Sequence, residues 1–334
     1  MAIVTPAYDA LDDEAQIALL RPVALKAAER FGLEVAGLEV VLHAYNTTFA
    51  LDTPDGRRFA LRVGTNSHST VPHAIAQQAW ITAIAEQTEV LVPRPLRTPD
   101  GEWCVEVDAP QLGRPLLVTM AAWLEGDDAD ALDVEAATAL GRAMASLHVQ
   151  AGGWTPPAGG ALPVFDEPLF GDEDLLAAPL GLDADALAVL AEARERAGAT
   201  FRRLHAGARL RPLHADLHGG NLKWHDGRLA VFDFDDAGLG LPVLDLAITT
   251  FYLRGEDPAL EAAVRAGYAA LAPLPEVDPA DFEALVASRQ LLLANALLAT
   301  STADLRAQAA DYLHTSIRRL RHWLATGTFT RAPA

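Results

Sequence analysis

The sequence of 334 residues predicts an α+β protein with two lobes, a small antiparallel sheet followed by a mostly helical part. Two observations carry this prediction. Strand-like apolar runs separated by turn residues dominate the first third of the chain, and helical apolar spacing dominates after Gly126. A hairpin pattern centred on Asp226-Gly227 interrupts the helical part. We place the lobe boundary after Ala122, which divides the chain into residues 1–122 and 123–334.

The predicted elements of the first lobe are apolar runs bounded by Gly, Pro or Asp turns. They are a helix over residues 12–31, strands over 38–42, 47–51 and 58–63, a helix over 70–87, a hairpin with legs at 92–95 and 102–107, and a strand over 116–120. The predicted elements of the second lobe have apolar residues at helical spacing. They are helices over residues 133–149, 183–205, 243–252, 258–271, 281–298 and 303–324.

The composition limits the classes of partner. The formal net charge is −19, and a field of that sign repels the phosphates of nucleic acids and anionic membranes. We therefore predict no nucleic-acid partner and no membrane partner. Cys104 is the only cysteine, so the chain forms no internal disulfide, which is typical of a reducing cytoplasm. Residues 1–6 lack a signal-peptide pattern, and the apolar stretch 291–299 is too short for a membrane span.

The segment around Asp216 carries the candidate chemistry. The Asp226-Gly227 turn returns the chain to Asp233, so we expect Asp216 and Asn221 to lie beside the strand end that carries Asp233. Carboxylate and amide oxygens are ligands that Mg²⁺ prefers in proteins. Phosphoryl transfer asks a protein mainly for positioning and charge neutralisation. These residues therefore predict a magnesium–phosphate site.

One alternative for this segment is a zinc site. His214, Asp216 and His218 stand at i, i+2 and i+4, a spacing that also fits the zinc ligands of a hydrolase. This alternative leaves the positions of Asn221 and Asp233 without a role. It remains open at the level of the sequence.

The other polar residues near this segment are interpreted as structural. Asp235 and Asp236 are expected to cap or hydrogen-bond the turn that follows them. His218 and His225 are interpreted as ordinary loop residues, and His148 as a structural hydrogen-bonding group.

The stretch from His214 to Ala247 resembles the aminoglycoside phosphotransferase and choline kinase family, which is part of the protein-kinase-like superfamily. It contains a His-x-Asp-x4-Asn loop, an apolar-Asp-aromatic strand end and a later Asp-Leu-Ala on a helix. The resemblance implies a bilobal protein-kinase-like fold, with a five-stranded first lobe and ATP in the cleft. It implies that Asp216 is the catalytic base, that Asn221 and Asp233 are Mg²⁺ ligands, and that Asp245 braces the catalytic loop, residues 214–221.

The resemblance also implies a nucleotide site in the first lobe. Arg62 stands on the third strand, where protein kinases carry a phosphate-binding lysine, and a guanidinium can grip phosphate oxygens. Asn46 and Thr47, near the tip of the first hairpin, would cover the phosphates. Met120 to Trp123 would form the hinge that meets the adenine ring. Other interpretations stay open: a plain hairpin turn for the tip, a solvated strand residue for Arg62, and a core residue for Trp123.

Gln77 departs from the family pattern. Aligned on Trp80, this helix position should carry the glutamate that pairs with the strand cation. A glutamine can hydrogen-bond but supplies no countercharge. The usual ion pair is therefore expected to be absent, which bears on nucleotide affinity and, to a lesser degree, on catalysis. The hairpin tip also lacks a glycine run.

The predicted function is ATP- and Mg²⁺-dependent phosphorylation of a hydroxyl group on a small molecule. The resemblance implies aminoglycosides, homoserine, choline-like alcohols and sugars as acceptors without choosing among them. Two alternatives stay open. Residues 213–236 also resemble a bacterial stress-response Ser/Thr protein kinase. The departures at Gln77 and at the hairpin tip suggest a nucleotide-binding pseudokinase, against which stands the presence of Asp216, Asn221 and Asp233. Four acidic residues are interpreted as solvated surface rather than as a pocket for a cationic substrate: Asp127, Asp128, Glu256 and Asp257.

Overall fold

A computed structural model describes residues 7–66, 69–129, 131–177 and 181–333. The first six residues, on which the signal-peptide prediction rests, lie outside this described part. The helices and strands below are named in chain order.

The first lobe contains a five-stranded antiparallel sheet, as predicted. Its strands are β1 (Gly37–His43), β2 (Thr47–Asp52), β3 (Arg58–Val63), β4 (Cys104–Ala109) and β5 (Arg114–Ala122). They are arranged in the order β1-β2-β3-β5-β4. Arg62 on the central strand lies opposite Thr48 on one side and Thr119 on the other. The sheet therefore holds the predicted phosphate-binding residue at its centre.

Helix α1 (Asp13–Arg30) packs on this sheet. Asp12 caps the helix, because its side chain accepts a hydrogen bond from Ala15 N at 2.9 Å. Buried side chains of α1, such as Leu20, join those of the strands, such as Phe49, in one apolar core. This core is separate from the larger core of the second lobe.

Helix α2 (Val71–Gln87) packs toward the second lobe. Trp80 is fully buried, belongs to the larger core, and meets the Phe234 ring edge-on at 5.6 Å between centroids. Because Gln77 lies one helical turn before Trp80, this packing brings Gln77 next to the chain that follows Asp233.

The prediction of a hairpin leg at residues 92–95 was wrong. This segment pairs with the end of β5: Leu96 N donates to Met120 O and Ala122 N donates to Arg94 O, each at 2.8 Å. The predicted turn is present, with Gly101 at a φ of +89°. Residues 92–95 thus add a further hydrogen-bonded edge at the predicted hinge.

The second lobe consists mostly of helices. They are α3 (Val134–Ala151), α4 (Ala184–His205), α5 (Pro242–Leu253), α6 (Pro258–Ala269), α7 (Pro279–Ala299) and α8 (Ala303–Thr326). Its short strands are β6 (Asp127–Asp128), β7 (Arg211–Leu213), β8 (Leu222–His225), β9 (Arg228–Val231) and β10 (Gly238–Gly240). The predicted hairpin is β8–β9 around Asp226-Gly227. The expectation of a single strand pair after Gly126 was wrong, because β6 pairs with β8 and β7 pairs with β10.

Helices α3 and α6 cross with their backbones in direct contact. A Cβ on Gly141 would lie 2.0 Å from Val264 O, and a Cβ on Gly267 would lie 2.0 Å from Thr138 O. Each helix therefore needs glycine where it crosses the other.

Helix α7 is long and apolar enough to cross a membrane by length and composition alone, yet most of it is buried inside the protein. It carries one arginine, Arg289, whose side chain is 3% exposed. A charged group in such a helix needs a partner.

The two ends of the fold meet at the start of α8. Thr302, the residue before the helix, makes no side-chain cap bond. Instead, Asp13 of α1 accepts from Ala303 N at 3.0 Å and from Asp304 N at 3.3 Å. We call this contact the terminal clasp. It ties the first helix of the described chain to the last.

Candidate active site

The second residue of the catalytic loop has an unfavourable backbone conformation. Ala215 has a φ of +61°, and a left-handed non-glycine residue costs roughly 1–2 kcal/mol. The fully buried carboxylate of Asp245 on α5 accepts from Ala215 N at 2.6 Å and from His214 N at 3.2 Å. His148 on α3 donates to the same carboxylate at 2.9 Å. Asp245 therefore lies where a brace for the loop was predicted, and His148 forms the structural contact predicted for it.

The loop brings Asp216 and Asn221 together. Asn221 Nδ2 donates to the backbone oxygen of Asp216 at 2.8 Å and to its Oδ2 at 3.0 Å. Phe232 N donates to Asn221 O at 3.0 Å, which joins the loop to the strand end before Asp233. Asp233 has a φ of +62°. The three residues predicted from the sequence thus lie on adjoining segments.

The contacts of His214 argue against the zinc alternative. Its Nε2 donates to Phe232 O at 2.9 Å, and its Nδ1 accepts from Asp216 N at 3.2 Å. Both ring nitrogens are therefore already bonded. Across the described residues, no group of three or more His, Cys, Asp or Glu side chains has a metal-binding arrangement.

Asp216 contacts three residues that the sequence did not assign to a phosphoryl-transfer site. Arg289 Nη2 forms an ion pair with its Oδ1, and Tyr252 OH donates to the same oxygen at 3.1 Å. His218 Nε2 lies 3.5 Å from Oδ2, and its ring stacks on Tyr252 at 4.1 Å. The interpretation of His218 as an ordinary loop residue was therefore wrong.

These neighbours determine the charge of Asp216. Burial has the largest single effect and would raise the pKa of this carboxyl, but Arg289, His218 and His214 all lower it, and together they outweigh burial. The pKa of Asp216 is therefore held well below its usual value. Asp216 is ionised at neutral pH and can accept a hydrogen bond from a hydroxyl group.

Arg62 lies across the cleft from the first lobe. Its Nη1 is 2.8 Å from Asp233 Oδ1, and its Nη2 is 2.6 Å from Asp235 Oδ2. Burial would lower the pKa of Arg62, but the two carboxylates raise it above its usual value. With only 25% of its side chain exposed, Arg62 is not a solvated strand residue.

Asp235 and Asp236 do not serve the turn as predicted. Asp235 pairs with Arg62 and also accepts from Gln77 Nε2 at 3.1 Å. Asp236 Oδ2 lies 3.4 Å from Arg289 Nη1. Burial and the nearby Asp216 raise the pKa of Asp236 to about 7, against the effect of Arg289. Both residues point into the site because the strand end brings them opposite cations from β3 and α7.

The predicted nucleotide residues have different surroundings. Asn46 and Arg62 line one cavity, between the sheet and α2. The Thr47 hydroxyl lies 2.7 Å from His43 Nδ1, so it contacts its own lobe. Met120 is buried in the first-lobe core. Trp123 N donates to Arg58 O at 3.1 Å and its ring lies 4.7 Å from the Arg58 guanidinium. The nucleotide roles of these residues stay predictions.

The residues present fit a nucleotide and a divalent cation. Asn221 and Asp233 supply one amide and one carboxylate, and Mg²⁺ commonly takes few protein ligands with the rest from phosphates and water. Within the described part of the chain, Arg62 Nε and Asn46 Oδ1 are buried without a hydrogen-bond partner. A buried donor without a partner is costly, and a phosphate oxygen would satisfy Arg62.

Among the site residues that the sequence did not predict, only Arg289 had a recognisable signal in the sequence. Arg289 stands alone in the apolar run of α7, and a charge in a buried helix points to an ionic partner. This signal could not identify Asp216 as the partner of Arg289, because the two residues are 73 positions apart in the sequence. No comparable signal distinguished Tyr252 from the other apolar residues of α5.

The chain matches the phosphotransferase enzyme family over residues 38–280. An uncharacterized protein of Deinococcus radiodurans is 29% identical over 285 residues, which cover 82% of this chain and 81% of that protein.

Two solved structures resemble the fold. A microcompartment-associated aminopropanol kinase gives a TM-score of 0.72 at 24% identity, covering 93% of this chain and 100% of that one. An amicoumacin kinase in complex with AMP-PNP, Ca²⁺ and Ami gives a TM-score of 0.70 at 18% identity, and the match covers 92% of this chain and 96% of that one. At these identities the likeness concerns the fold. The predicted bilobal kinase-like fold is confirmed.

Proposed function

This chain belongs to the phosphotransferase enzyme family, and on that premise we propose that it transfers the γ-phosphoryl group of ATP to a hydroxyl group of a small molecule. The predicted enzyme class, a phosphotransferase, is confirmed by the family match. The nucleotide, the cation and the acceptor are part of the proposal.

The observation that carries the proposal is the environment of Asp216. An ionised carboxylate is fixed by Asn221 and by the loop that Asp245 braces, and it keeps 19% of its side chain exposed toward the cleft where a hydroxyl group would bind. Asp216 accepts the hydrogen bond of the acceptor hydroxyl and orients its oxygen toward the γ-phosphorus. As the new P–O bond forms and the bond to the ADP oxygen breaks, the hydroxyl proton passes to Asp216.

The nucleotide would lie between the lobes. We assign residues 1–122 to nucleotide binding and 123–334 to the catalytic loop and the acceptor. Arg62 would bind phosphate oxygens, with Asn46 and Thr47 near the phosphates and Met120 to Trp123 near the adenine ring. Asn221 and Asp233 would hold Mg²⁺, which when bound neutralises charge on the phosphates.

The acceptor is proposed to be a small alcohol. The names of the two structural neighbours, an aminopropanol kinase and an amicoumacin kinase, direct the first assays to amino alcohols and amine-bearing antibiotics. The single cysteine supports a cytoplasmic location.

The proposal is tested by Mg²⁺-dependent ADP release. The panel contains aminopropanol, ethanolamine, choline, homoserine, sugars, aminoglycosides and a generic Ser/Thr protein. Asp216→Asn is the inactive variant, and Asp226→Asn is the matched control, since the Asp226 side chain is 89% exposed in the hairpin turn. We expect turnover with one acceptor class, retained in the control and lost in Asp216→Asn.

Two results would overturn the proposal. Turnover with the protein acceptor alone would identify a protein kinase. Tight ATP binding with no turnover on any acceptor and no slow hydrolysis of ATP would identify a pseudokinase.

A further inference from the structure

Arg62 has an unusual set of partners. In the kinase pattern, the strand cation pairs with a glutamate on the following helix, but α2 carries Gln77 at that position. Arg62 pairs instead with two carboxylates of the second lobe, Asp233 and Asp235. The countercharge therefore comes from the other side of the cleft.

The amide of Gln77 has a defined orientation. Its Oε1 accepts from Gln78 Nε2 at 2.8 Å, and its Nε2 donates to Phe234 O at 2.7 Å and to Asp235 Oδ1 at 3.1 Å. Gln77 therefore acts as a donor to Asp235, while the recorded ion pairs of Arg62 are with Asp233 and Asp235. With 5% of its surface exposed, it is not a helix-surface residue.

Asp235 collects three donors. Arg62 Nη2 and Asn46 Nδ2 bind Oδ2, and Gln77 binds Oδ1. These donors come from β3, from the tip of the first hairpin and from α2, which are the parts of the first lobe that surround the proposed phosphate site. A carboxylate bound at both oxygens has little freedom to rotate.

The two carboxylates that bind Arg62 have separable roles. Under the proposed function, Asp233 would be a Mg²⁺ ligand, and its carboxylate would serve the cation rather than Arg62 alone. Asp235 then remains as the partner of Arg62.

We propose that Asp235 is the positioning residue that orients Arg62 toward the nucleotide phosphates, in place of the helix glutamate that this chain lacks. The inference rests on the proposed function. It predicts that a carboxylate at position 77 can replace Asp235 as the negative partner of Arg62. Gln77 and Arg62 bind opposite oxygens of Asp235, so their side chains are separated by the width of one carboxylate. A glutamate at position 77 should reach the guanidinium if Asp235 is neutralised.

The test is a double-mutant cycle with Asp235→Asn and Gln77→Glu. Calorimetry measures the Kd of AMP-PNP with and without Mg²⁺, and acceptor turnover is not needed. We expect Asp235→Asn to raise Kd about tenfold or more under both conditions, because it disturbs the Arg62–phosphate contact. Gln77→Glu alone places a second carboxylate against Asp235 and should also raise Kd. The double variant should return to within about threefold of the wild type.

Two further variants separate this role from others. Asp233→Asn should weaken only Mg²⁺-dependent binding, and Asp226→Asn should bind like the wild type. An unchanged Kd for Asp235→Asn would overturn the inference. So would a double variant whose Kd is raised by the product of the two single effects, or one that does not fold. If the wild type binds no AMP-PNP, the proposed function fails as well, and that result is distinct from the other two.

Discussion

Replacing Arg289 with methionine removes the cation beside Asp216 and keeps an unbranched apolar side chain in its place. The Arg289 side chain is 3% exposed and the Asp216 side chain 19% exposed, so water replaces little of the lost contact. Arg289 also contacts two other groups: its Nη1 lies 3.4 Å from Asp236 Oδ2, and its Nη2 donates to the Tyr252 hydroxyl at 3.0 Å. Arg289→Met therefore leaves two neighbouring carboxylates without their shared cation.

The magnitude follows from this burial. Removing one member of a buried ion pair costs about 3–5 kcal/mol, because the other charge is left without a partner. The partial exposure of Asp216 points to the lower end, so we expect a loss of about 3 kcal/mol at pH 7. That loss is roughly a hundredfold change in the unfolding equilibrium, since about 1.4 kcal/mol corresponds to a factor of ten.

The pH dependence has a defined sign. In the wild type the pKa of Asp216 lies below its ordinary value of 3.8. Its contribution to stability is therefore fully present above that value and is lost as the pH falls through the folded-state pKa. In Arg289→Met the pKa of Asp216 rises, so the variant relieves its unpaired charge by binding a proton in mild acid. The difference in the free energy of unfolding between the wild type and Arg289→Met should therefore become smaller as the pH falls from 7 to 4.

Urea unfolding of the wild type, Arg289→Met and Arg289→Lys between pH 4 and pH 8 measures both effects. Lysine keeps the charge without the planar fork, so it should recover more than half of the loss. If active acceptors are found, the acid limb of kcat/KM should move to higher pH in Arg289→Met. A loss below 1 kcal/mol that does not vary with pH would refute the reasoning.

Three further predictions concern other parts of the molecule. Asp245→Asn turns one acceptor into a donor facing the backbone N–H groups of the catalytic loop, and urea unfolding should show a loss of about 2–3 kcal/mol together with a lower kcat. Gly141→Ala places a Cβ 2.0 Å from Val264 O, and thermal unfolding should show a loss of about 2 kcal/mol or more. Burial raises the pKa of the Cys104 thiol to about 11, so at pH 8 iodoacetamide should modify the native protein about a hundredfold more slowly than the urea-unfolded chain, measured by mass spectrometry.

Each of these predictions has a matched comparison. Asp226→Asn should change stability by no more than about 0.5 kcal/mol, and similar losses in both Asp variants would contradict the brace role of Asp245. Gly153 has nothing within 4 Å of its would-be Cβ, so Gly153→Ala should be neutral. Equal effects at both glycines would contradict the close helix crossing. Equal alkylation rates of native and unfolded protein would contradict the raised thiol pKa.

The strands that could be predicted from the sequence are those with complete local signals. The prediction for β3, residues 58–63, agrees with the structure, because a Pro-Asp-Gly turn precedes a long enough run of alternating burial. Strands of two or three residues, such as β6 and β7, are too short to show a period of two. Residues 92–95 were assigned to the wrong partner, because the pattern predicts an extended segment without saying which strand it will meet.

In the site too, the residues with a local sequence signal could be predicted and those held by tertiary contacts could not. Asp216, Asn221 and Asp233 lie within 18 residues around one hairpin, so local spacing brings them together. Arg289 reaches Asp216 from a distant helix, and the pairing depends on how α5 and α7 pack. Asp235 was interpreted as a turn residue, since its neighbours in sequence gave no indication of a cation on β3. The polar partners that determine charge in this site are tertiary contacts.

The terminal clasp has a consequence for the order of folding. Asp13 and Ala303 are 290 residues apart in sequence. Closing a free loop of that length costs about 5 kcal/mol in chain entropy, more than two hydrogen bonds at or near the surface return. The clasp therefore forms only after both lobes have folded and brought its two halves together. During synthesis, α1 leaves the ribosome long before α8, so the clasp can form only once the last helix of the second lobe has been made.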